Sequence, residues 1–255
     1  MGNALYSIDI PHFLLCSLSF GCTAGASLAA NQILEIKADA KMKRTQDRPL
    51  AAGRISKTTA LVFVNLFFWP FLWLLYSQAG GLCASLTFFC GFSYVFIYTP
   101  LKYLNDLSTL VGAIPGALLP LMGWSAVDSN IIVGPVLYCS LILYLWQIPH
   151  TMVITLKYLN DYKIAGMHQL PLVSGKGLAI KQAIYWTALM VLSSYMPIYY
   201  QWVKLAYILF ISPLNLFLLY FSFQYFKNQT HSKSFFICLN VYLVGVLFAL
   251  GFFLK

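Results

Sequence analysis

Eight apolar runs of about 20 residues, separated by short polar segments, constrain the fold of this chain more than any other feature. The runs lie at 12–34, 58–78, 82–100, 108–126, 131–155, 179–198, 204–225 and 234–254. A helix of that length crosses the apolar core of a bilayer, and the runs lack the alternation typical of a transmembrane strand. Only 9% of the residues are charged, against about a quarter in a soluble domain. The sequence therefore predicts an all-α polytopic membrane helical bundle, with about eight transmembrane helices in a single domain over residues 1–255.

The basic residues are distributed unevenly among the polar segments. Fourteen of the sixteen Lys and Arg lie in or beside four alternate loops, at 35–57, 101–107, 156–178 and 226–234. Since cytoplasmic loops are enriched in Lys and Arg, we expect these loops in the cytoplasm and both termini outside. Membrane topology thus explains the net charge of +9, and nucleic-acid binding is not indicated because no separate soluble domain presents these residues. No targeting segment precedes the first run, which favours a bacterial plasma (inner) membrane.

Oxygen-bearing side chains recur every four residues at the end of the first run. Asn31, Glu35 and Asp39 are expected to lie along one face of a helix. Such ligands suit Mg²⁺, which binds one or two carboxylates and leaves its other positions to water and phosphates. The basic segment that follows includes Arg44 and Arg48, which suit a diphosphate. Charged residues also end many membrane spans for topological reasons alone, and this motif by itself leaves both interpretations open.

A second group of basic and oxygen-bearing side chains lies in the loop at 156–178. It contains Lys157, Asn160 and Asp161. Because this loop is predicted on the same side of the membrane as the first motif, the two groups are expected to face each other across the bundle.

The first motif resembles the first aspartate-rich motif of the UbiA-type prenyltransferases. The residues concerned are Asn31-x-x-x-Glu35-x-x-x-Asp39, followed by Lys41-Met42-x-Arg44-Thr45-x-x-Arg48-Pro49-Leu50-x-x-Gly53. Three further stretches resemble, more specifically, the branch of this superfamily that farnesylates heme B to heme O. They are Tyr98-Thr99-Pro100-Leu101-Lys102, Trp146-Gln147-Ile148-Pro149-His150 and Asp161-Tyr162-x-x-Ala165-Gly166. The similarity extends over roughly residues 20–180, and the Trp-Gln-x-Pro-His run is its most discriminating part.

The resemblance implies a helical bundle around a central cavity, with farnesyl diphosphate as donor, heme B as acceptor and Mg²⁺ as cofactor. A farnesyl cation would form as diphosphate leaves, a heme vinyl group would attack it, and water would trap the resulting cation. The implied catalytic and metal-binding residues are Asn31, Glu35, Asp39 and Asp161. The implied substrate-binding residues are Lys43, Arg44, Arg48, Lys102, His150, Lys157 and Asn160. The other implied partners are the lipid bilayer and a downstream heme-modifying enzyme or terminal oxidase assembly factors.

Several aromatic side chains near these motifs have two interpretations. Tyr94, Tyr98, Trp124 and Trp146 are candidates for sheltering a carbocation, but in a chain that is 17% aromatic the packing role is favoured for each ring. His150 follows a helix-kinking proline, and it is expected to contact heme or to be satisfied by a helix carbonyl.

The sequence departs from the family pattern in two respects. Members usually have one further helix before the motif helix, so we expect either an upstream start or a shortened homologue. Glu35 stands where many members have Asp, which lengthens the reach of the carboxylate. The nearest alternative function is prenylation of a quinone precursor or other aromatic acceptor. A transporter is less favoured, because the acidic residues gather at one membrane face rather than at the midplane.

Overall fold

The computed structural model describes residues 9–228 and 232–255, and nearly all of this backbone is helical. In chain order the elements are α1 (Ile10–Asp39), α2 (Lys57–Phe92), a π-helical segment (Ser93–Tyr98), α3 (Thr99–Leu101), α4 (Ser108–Ser125), α5 (Gly134–Lys157), α6 (Leu159–Ile164), α7 (Leu170–Val173), α8 (Lys176–Ser193), α9 (Met196–Tyr199), α10 (Tyr207–Asn228) and α11 (Ser232–Phe253). No strand occurs in these described ranges, where one isolated bridge joins Val203 and Leu254. The predicted all-α fold is confirmed.

Each predicted apolar run is largely helical, although several of the boundaries differ. Helix α2 contains the second run and the first part of the third, which continues through the π-helical segment into α3, and α2 is interrupted at Gly80, where φ is +88°. Glycine adopts this conformation without the steric cost that a side chain would bring. The run at 179–198 coincides with α8, which ends at Ser193 and is followed by the short α9. Over the described part of the chain, six helices are long and apolar enough to cross a membrane. In this count α2 and its continuation through Leu101 are a single helix.

Four of the helices enclose one apolar core, and the other long helices pack beside them. Helices α5, α8, α10 and α11 share a continuous apolar core, whose largest buried side chains include Tyr138, Ile142, Met190, Tyr207, Ile211, Leu218, Phe235, Leu239 and Tyr242. Helix α1 packs mainly against α2, and α4 packs mainly against α5. Many large apolar side chains point outward, including Leu66, Trp73 and Leu209. Such an apolar exterior suits a protein surrounded by lipid.

Three of the predicted cytoplasmic loops meet at one end of the bundle. The backbone N–H of Arg44, in the loop after α1, donates to Asp161 Oδ2 at 3.2 Å. The backbone N–H of His168 donates to the carbonyl oxygen of Lys102 at 2.7 Å. The expectation that the two polar groups face each other is therefore confirmed.

Candidate active site

A cavity of about 740 Å³ lies between α1, α2 with its π-helical extension, α4 and α5. It follows α1 from Phe20 to Asp39, about 28 Å at 1.5 Å per residue. Its charged lining residues lie at the loop end, and they are Glu35, Asp39, Arg44, Arg48 and Lys102. Side chains such as Phe20, Leu28 and Met122 make the rest of the wall largely apolar. The cavity therefore has one end suited to an anion and a long apolar remainder.

Helix α1 contributes a stripe of polar side chains to this cavity. Its buried residues at every fourth position are Ser19, Thr23, Ser27, Asn31, Glu35 and Asp39, and all but Ser19 line the cavity. The three hydroxyls donate to carbonyl oxygens within the helix, each four residues earlier, so their O–H donors are already used. The last three residues are those predicted from the sequence to share one face, and this prediction is confirmed.

Glu35 is the most extensively bonded of these three residues. Its carboxylate accepts from Lys102 Nζ at 2.5 Å, from the Tyr103 hydroxyl at 3.2 Å and from Asn31 Nδ2 at 3.0 Å. The side chains of Glu35 and Lys102 are 4% and 9% exposed, so this is a buried ion pair. Burial lowers the pKa of Lys102, and the Glu35 charge opposes that shift. Burial and the same carboxylate raise the pKa of Tyr103, which therefore remains a hydrogen-bond donor.

Asn31 is oriented by the helix that follows the π-helical segment. Its Nδ2 donates both to Glu35 and to Thr99 Oγ1, the latter at 2.9 Å. Thr99 in turn donates to the carbonyl oxygen of Tyr94 at 2.9 Å. Both amide N–H groups are thus used, whereas Asn31 Oδ1 has no partner among the residues that the structure describes. This oxygen is available to a ligand.

Asp39 is paired with an arginine of the loop that follows it. Arg48 Nη1 donates to both carboxylate oxygens, at 3.0 and 2.8 Å. The carbonyl oxygen of Asp39 also accepts from Thr45 Oγ1 at 3.1 Å, which fixes the start of the loop. The Asp39 side chain is 1% exposed, whereas that of Arg48 is 34% exposed.

Arg44 connects the first polar group to the second. Its guanidinium donates to the Tyr162 hydroxyl at 3.3 Å and lies 5.3 Å from the ring centroid of Tyr158. Its backbone is held by Asp161, whose buried carboxylate faces this loop and is not among the residues that line the cavity. Asp161 therefore acts on the site only indirectly, by holding the backbone of Arg44. Burial raises the pKa of the neighbouring Tyr162.

The remaining predicted site residues lie outside the cavity lining. Lys43, Lys157 and Asn160 are exposed at the loop end of the bundle. Lys157 Nζ lies 5.1 Å from the ring centroid of Tyr158. His150 packs within the helical bundle, and its Nδ1 is buried with no hydrogen-bond partner in the described structure.

The donor set at the loop end fits Mg²⁺. Among the described residues, no three His, Cys, Asp or Glu side chains form a metal-binding group. The Glu35 and Asp39 carboxylates and the Asn31 amide oxygen nevertheless line the same cavity. Two carboxylates and one neutral oxygen match a Mg²⁺ site whose other ligands are water and phosphate. The adjacent cations are placed to contact the phosphate oxygens.

Several residues of the site were not assigned a role from the sequence. Thr99 and Tyr103 hold Asn31 and Glu35, and their contacts depend on how the chain returns after the π-helical segment. The cavity is also lined by Gln147, Thr151 and Gln169. Gln147 and Thr151 are four residues apart, and this spacing is the one signal that could have indicated a second polar face.

The aromatic candidates divide into two groups. Tyr94 and Tyr98 line the cavity, and Lys102 Nζ lies 4.9 Å from the Tyr98 ring centroid. Trp124 donates its indole N–H to the carbonyl oxygen of Asn130, outside the cavity lining. Trp146 lies outside the lining as well.

The profile of the UbiA prenyltransferase family matches residues 3–252. The chain belongs to this family. Among its relatives, protoheme IX farnesyltransferase of an Anaeromyxobacter species is 39% identical over 165 residues, covering 64% of this chain and 54% of the relative. The Opitutus terrae protein of that name is 39% identical over 182 residues, covering 70% and 61%. The human mitochondrial protein of that name is 32% identical over 233 residues, covering 90% and 52%. The chain thus spans between half and two thirds of the length of these relatives.

Solved structures of this UbiA-type family share the fold at low sequence identity. The structure of a digeranylgeranylglyceryl phosphate synthase has a TM-score of 0.77 and 18% identity, covering 96% of this chain and 88% of that one. A UbiA homologue from Archaeoglobus fulgidus, bound to GPP and Mg²⁺, has a TM-score of 0.64 and 14% identity, covering 95% and 89%. These similarities extend over most of both chains and concern the fold.

Proposed function

We propose that this UbiA family member is a protoheme IX farnesyltransferase, which transfers the farnesyl group of farnesyl diphosphate to a vinyl group of heme B and adds water to give heme O. The observation that carries the proposal is the cavity, whose loop end is lined by two carboxylates and three cations and whose remainder is largely apolar. Relatives named for this activity are 31–39% identical to the chain. A related fold has been solved with GPP and Mg²⁺, which supports a metal-dependent prenyl transfer.

In this proposal the charged end of the cavity binds the diphosphate. Asn31, Glu35 and Asp39 hold Mg²⁺, and Arg44, Arg48 and Lys102 contact phosphate oxygens. Mg²⁺ supplies positive charge that stabilises the departing diphosphate. The guanidinium and ammonium groups stabilise the same developing negative charge, and they are already in place before the carbon–oxygen bond breaks.

The other side chains of the site have supporting roles. Thr99 and Tyr103 orient Asn31 and Glu35 through the hydrogen bonds described above. Asp161 acts by holding the backbone of Arg44, and this contact keeps the second polar loop against the first. The rings of Tyr94 and Tyr98 shelter the allylic cation from water and present electron-rich faces to it.

The proposal includes the location of the protein. We place the chain as one prenyltransferase domain in a bacterial inner membrane, with the loops at 35–57, 101–107, 156–178 and 226–234 in the cytoplasm. The concentration of Lys and Arg in these loops supports this orientation. Soluble farnesyl diphosphate would then reach the charged end of the cavity directly.

The test is a product assay on the purified protein in detergent. The protein is incubated with farnesyl diphosphate, Mg²⁺ and heme B, and in a parallel reaction with 4-hydroxybenzoate, and the products are identified by mass. We expect heme O in the first reaction and no prenylated product in the second. Absence of heme O from a folded preparation that binds farnesyl diphosphate would reject the proposal, and prenylated 4-hydroxybenzoate would assign a different acceptor.

A further inference from the structure

The side chains of the Trp-Gln-x-Pro-His run are divided between two faces of α5. Trp146 donates its indole N–H to the carbonyl oxygen of Leu239 at 3.0 Å, and its ring lies 4.2 Å from that of His150. His150 also packs against Phe236 of α11, at 4.8 Å between ring centroids. These two side chains form part of the contact between α5 and α11. Gln147 lies on the other face and lines the cavity.

The Gln147 carboxamide lies beside Gly116, near the middle of α5 and α4 respectively. A Cβ added at Gly116 would lie 3.2 Å from Gln147 Oε1, so the glycine leaves room for the amide. Within the described ranges this amide has no hydrogen-bond partner, although it faces a largely apolar space. The amide is accessible from the cavity, and a bound ligand that covered it without pairing with it would leave a buried polar group unpaired, which is unfavourable. We therefore expect a ligand to provide the partner when the cavity is filled.

Several other neutral polar groups of the wall are already engaged, although Asn31 Oδ1 and the hydroxyls of Thr109 and Thr151 have no partner within the described ranges. Ser27 and Thr87 donate to carbonyl oxygens four residues earlier in their own helices. Gln169 Oε1 accepts from Thr155 Oγ1 at 2.5 Å. Gln147 is thus the amide of this wall whose oxygen and N–H groups are both available.

The chemistry of the two substrates indicates which one this amide serves. A prenyl chain is a hydrocarbon and has no hydrogen-bonding group. The diphosphate is accounted for by the cations at the loop end of the cavity, where Arg48 and Lys102 lie. The acceptor is the remaining ligand, and it carries polar groups on an otherwise flat, apolar ring.

We propose that Gln147 hydrogen-bonds a polar group of the acceptor and thereby positions the carbon that attacks the allylic cation. The inference rests on the proposed function, which supplies a prenyl donor and a separate acceptor. The carboxamide N–H groups can donate to a carboxylate or carbonyl oxygen of the acceptor. The part of the Trp-Gln-x-Pro-His run that contacts substrate is then the glutamine.

The test compares acceptor and donor binding in Gln147→Leu, which keeps the approximate size of the side chain and removes its hydrogen bonds. Heme B affinity is measured by absorbance titration, and donor affinity by calorimetry with farnesyl thiodiphosphate, an analogue that ionises slowly. We expect heme to bind about tenfold more weakly, which corresponds to about 1.4 kcal/mol, and the donor analogue to bind as in wild type. Gly116→Ala should weaken heme binding in the same direction, because the new methyl group crowds Gln147 Oε1.

The matched control is Gln182→Leu, the same change on α8 at a residue outside the cavity lining. Unchanged heme affinity in Gln147→Leu, or an equal loss of heme and donor affinity, would overturn the proposal. The proposal would also be overturned if Gln147→Leu bound heme as tightly as wild type but formed a product without the added water. That result would show that Gln147 holds the water that traps the cation. Wild-type protein that binds the donor but forms no heme product would reject the proposed function itself. A heme O product in wild type, with an unaltered heme KM in Gln147→Leu, would reject this inference alone.

Discussion

Asp39→Asn is expected to change how the diphosphate site responds to Mg²⁺. Each carboxylate at the loop end of the cavity is already paired with a cation, Asp39 with Arg48 and Glu35 with Lys102. Mg²⁺ alone has to compete with these cations, and a diphosphate alone has to compete with these carboxylates. When both bind, the carboxylates can turn to the metal and the cations to the phosphate oxygens. Mg²⁺ and the diphosphate should therefore bind more tightly together than separately.

The size of the effect follows from the geometry of the Asp39 pair. Asparagine keeps the shape and one acceptor oxygen but removes the charge, so Arg48 becomes available to phosphate. Two unit charges about 4 Å apart interact by about 4 kcal/mol at an effective dielectric constant of 20. Arg48 is 34% exposed, and solvent screening reduces this value, so we take about 1.4 kcal/mol, or tenfold in affinity. Without Mg²⁺ the variant should bind a diphosphate about tenfold more tightly than wild type, and it should lose most of the Mg²⁺ enhancement.

The assay is calorimetric titration of the purified protein with farnesyl thiodiphosphate, in EDTA and in Mg²⁺. Asp128→Asn provides the control, because Asp128 is an exposed acid in the loop after α4. The reasoning would be refuted if Asp39→Asn weakened binding of the analogue by the same factor in EDTA and in Mg²⁺. The Asp39 carboxylate would then not be neutralising Arg48 before substrate binds.

Two further substitutions test the site from its supporting contacts. Lys102→Met leaves the buried Glu35 carboxylate without its cation, so it should lower the free energy of unfolding by about 3 kcal/mol. The double variant Lys102→Met with Glu35→Gln should lose less stability than the two single variants added together. Thermal unfolding in detergent measures these losses, and additive losses would contradict the pairing. Gly112→Ala places a Cβ 2.5 Å from the Tyr98 ring, which lines the cavity, so it should lower stability by roughly 1–3 kcal/mol and reduce heme O formation. Gly251→Ala, where no atom lies within 4 Å of the added Cβ, should change neither quantity, and equal effects in the two alanine variants would show that Tyr98 is not displaced.

The sequence was sufficient to predict the helices and the polar face of α1. Lengths of the apolar runs determine where a chain can cross a membrane, and this pattern survives in the structure even where α2 is broken at Gly80. A spacing of four residues places Asn31, Glu35 and Asp39 on one side of any helix, whatever packs against it. Both predictions depend on local geometry alone.

The partners of those residues could not be predicted in the same way. Glu35 meets Lys102 and Tyr103, which lie 67 and 68 residues later, after a π-helical turn that shifts the register of the chain. A difference of one residue in that turn would rotate the following side chains by about 100°. Asp161 shows the same limit, because its position beside the loop was predicted but its bond to the Arg44 backbone was not. Hydrophobic pattern carries no information about such pairings.

The pairing of charges at this end of the bundle reconciles two requirements of a membrane enzyme. A buried carboxylate or ammonium group is costly unless it is paired, and Glu35 of α1 and Lys102, directly after α3, neutralise each other. In the proposed function, an anionic substrate with its metal ion would bring opposite partners for both groups, and these partners would replace the protein's own pair without leaving either charge unpaired. The groups that stabilise the site before substrate binds would then be the groups that bind the diphosphate. Of the two ion pairs at the loop end of the cavity, the one between Asp39 and Arg48 is in contact with solvent, because the Arg48 side chain is 34% exposed.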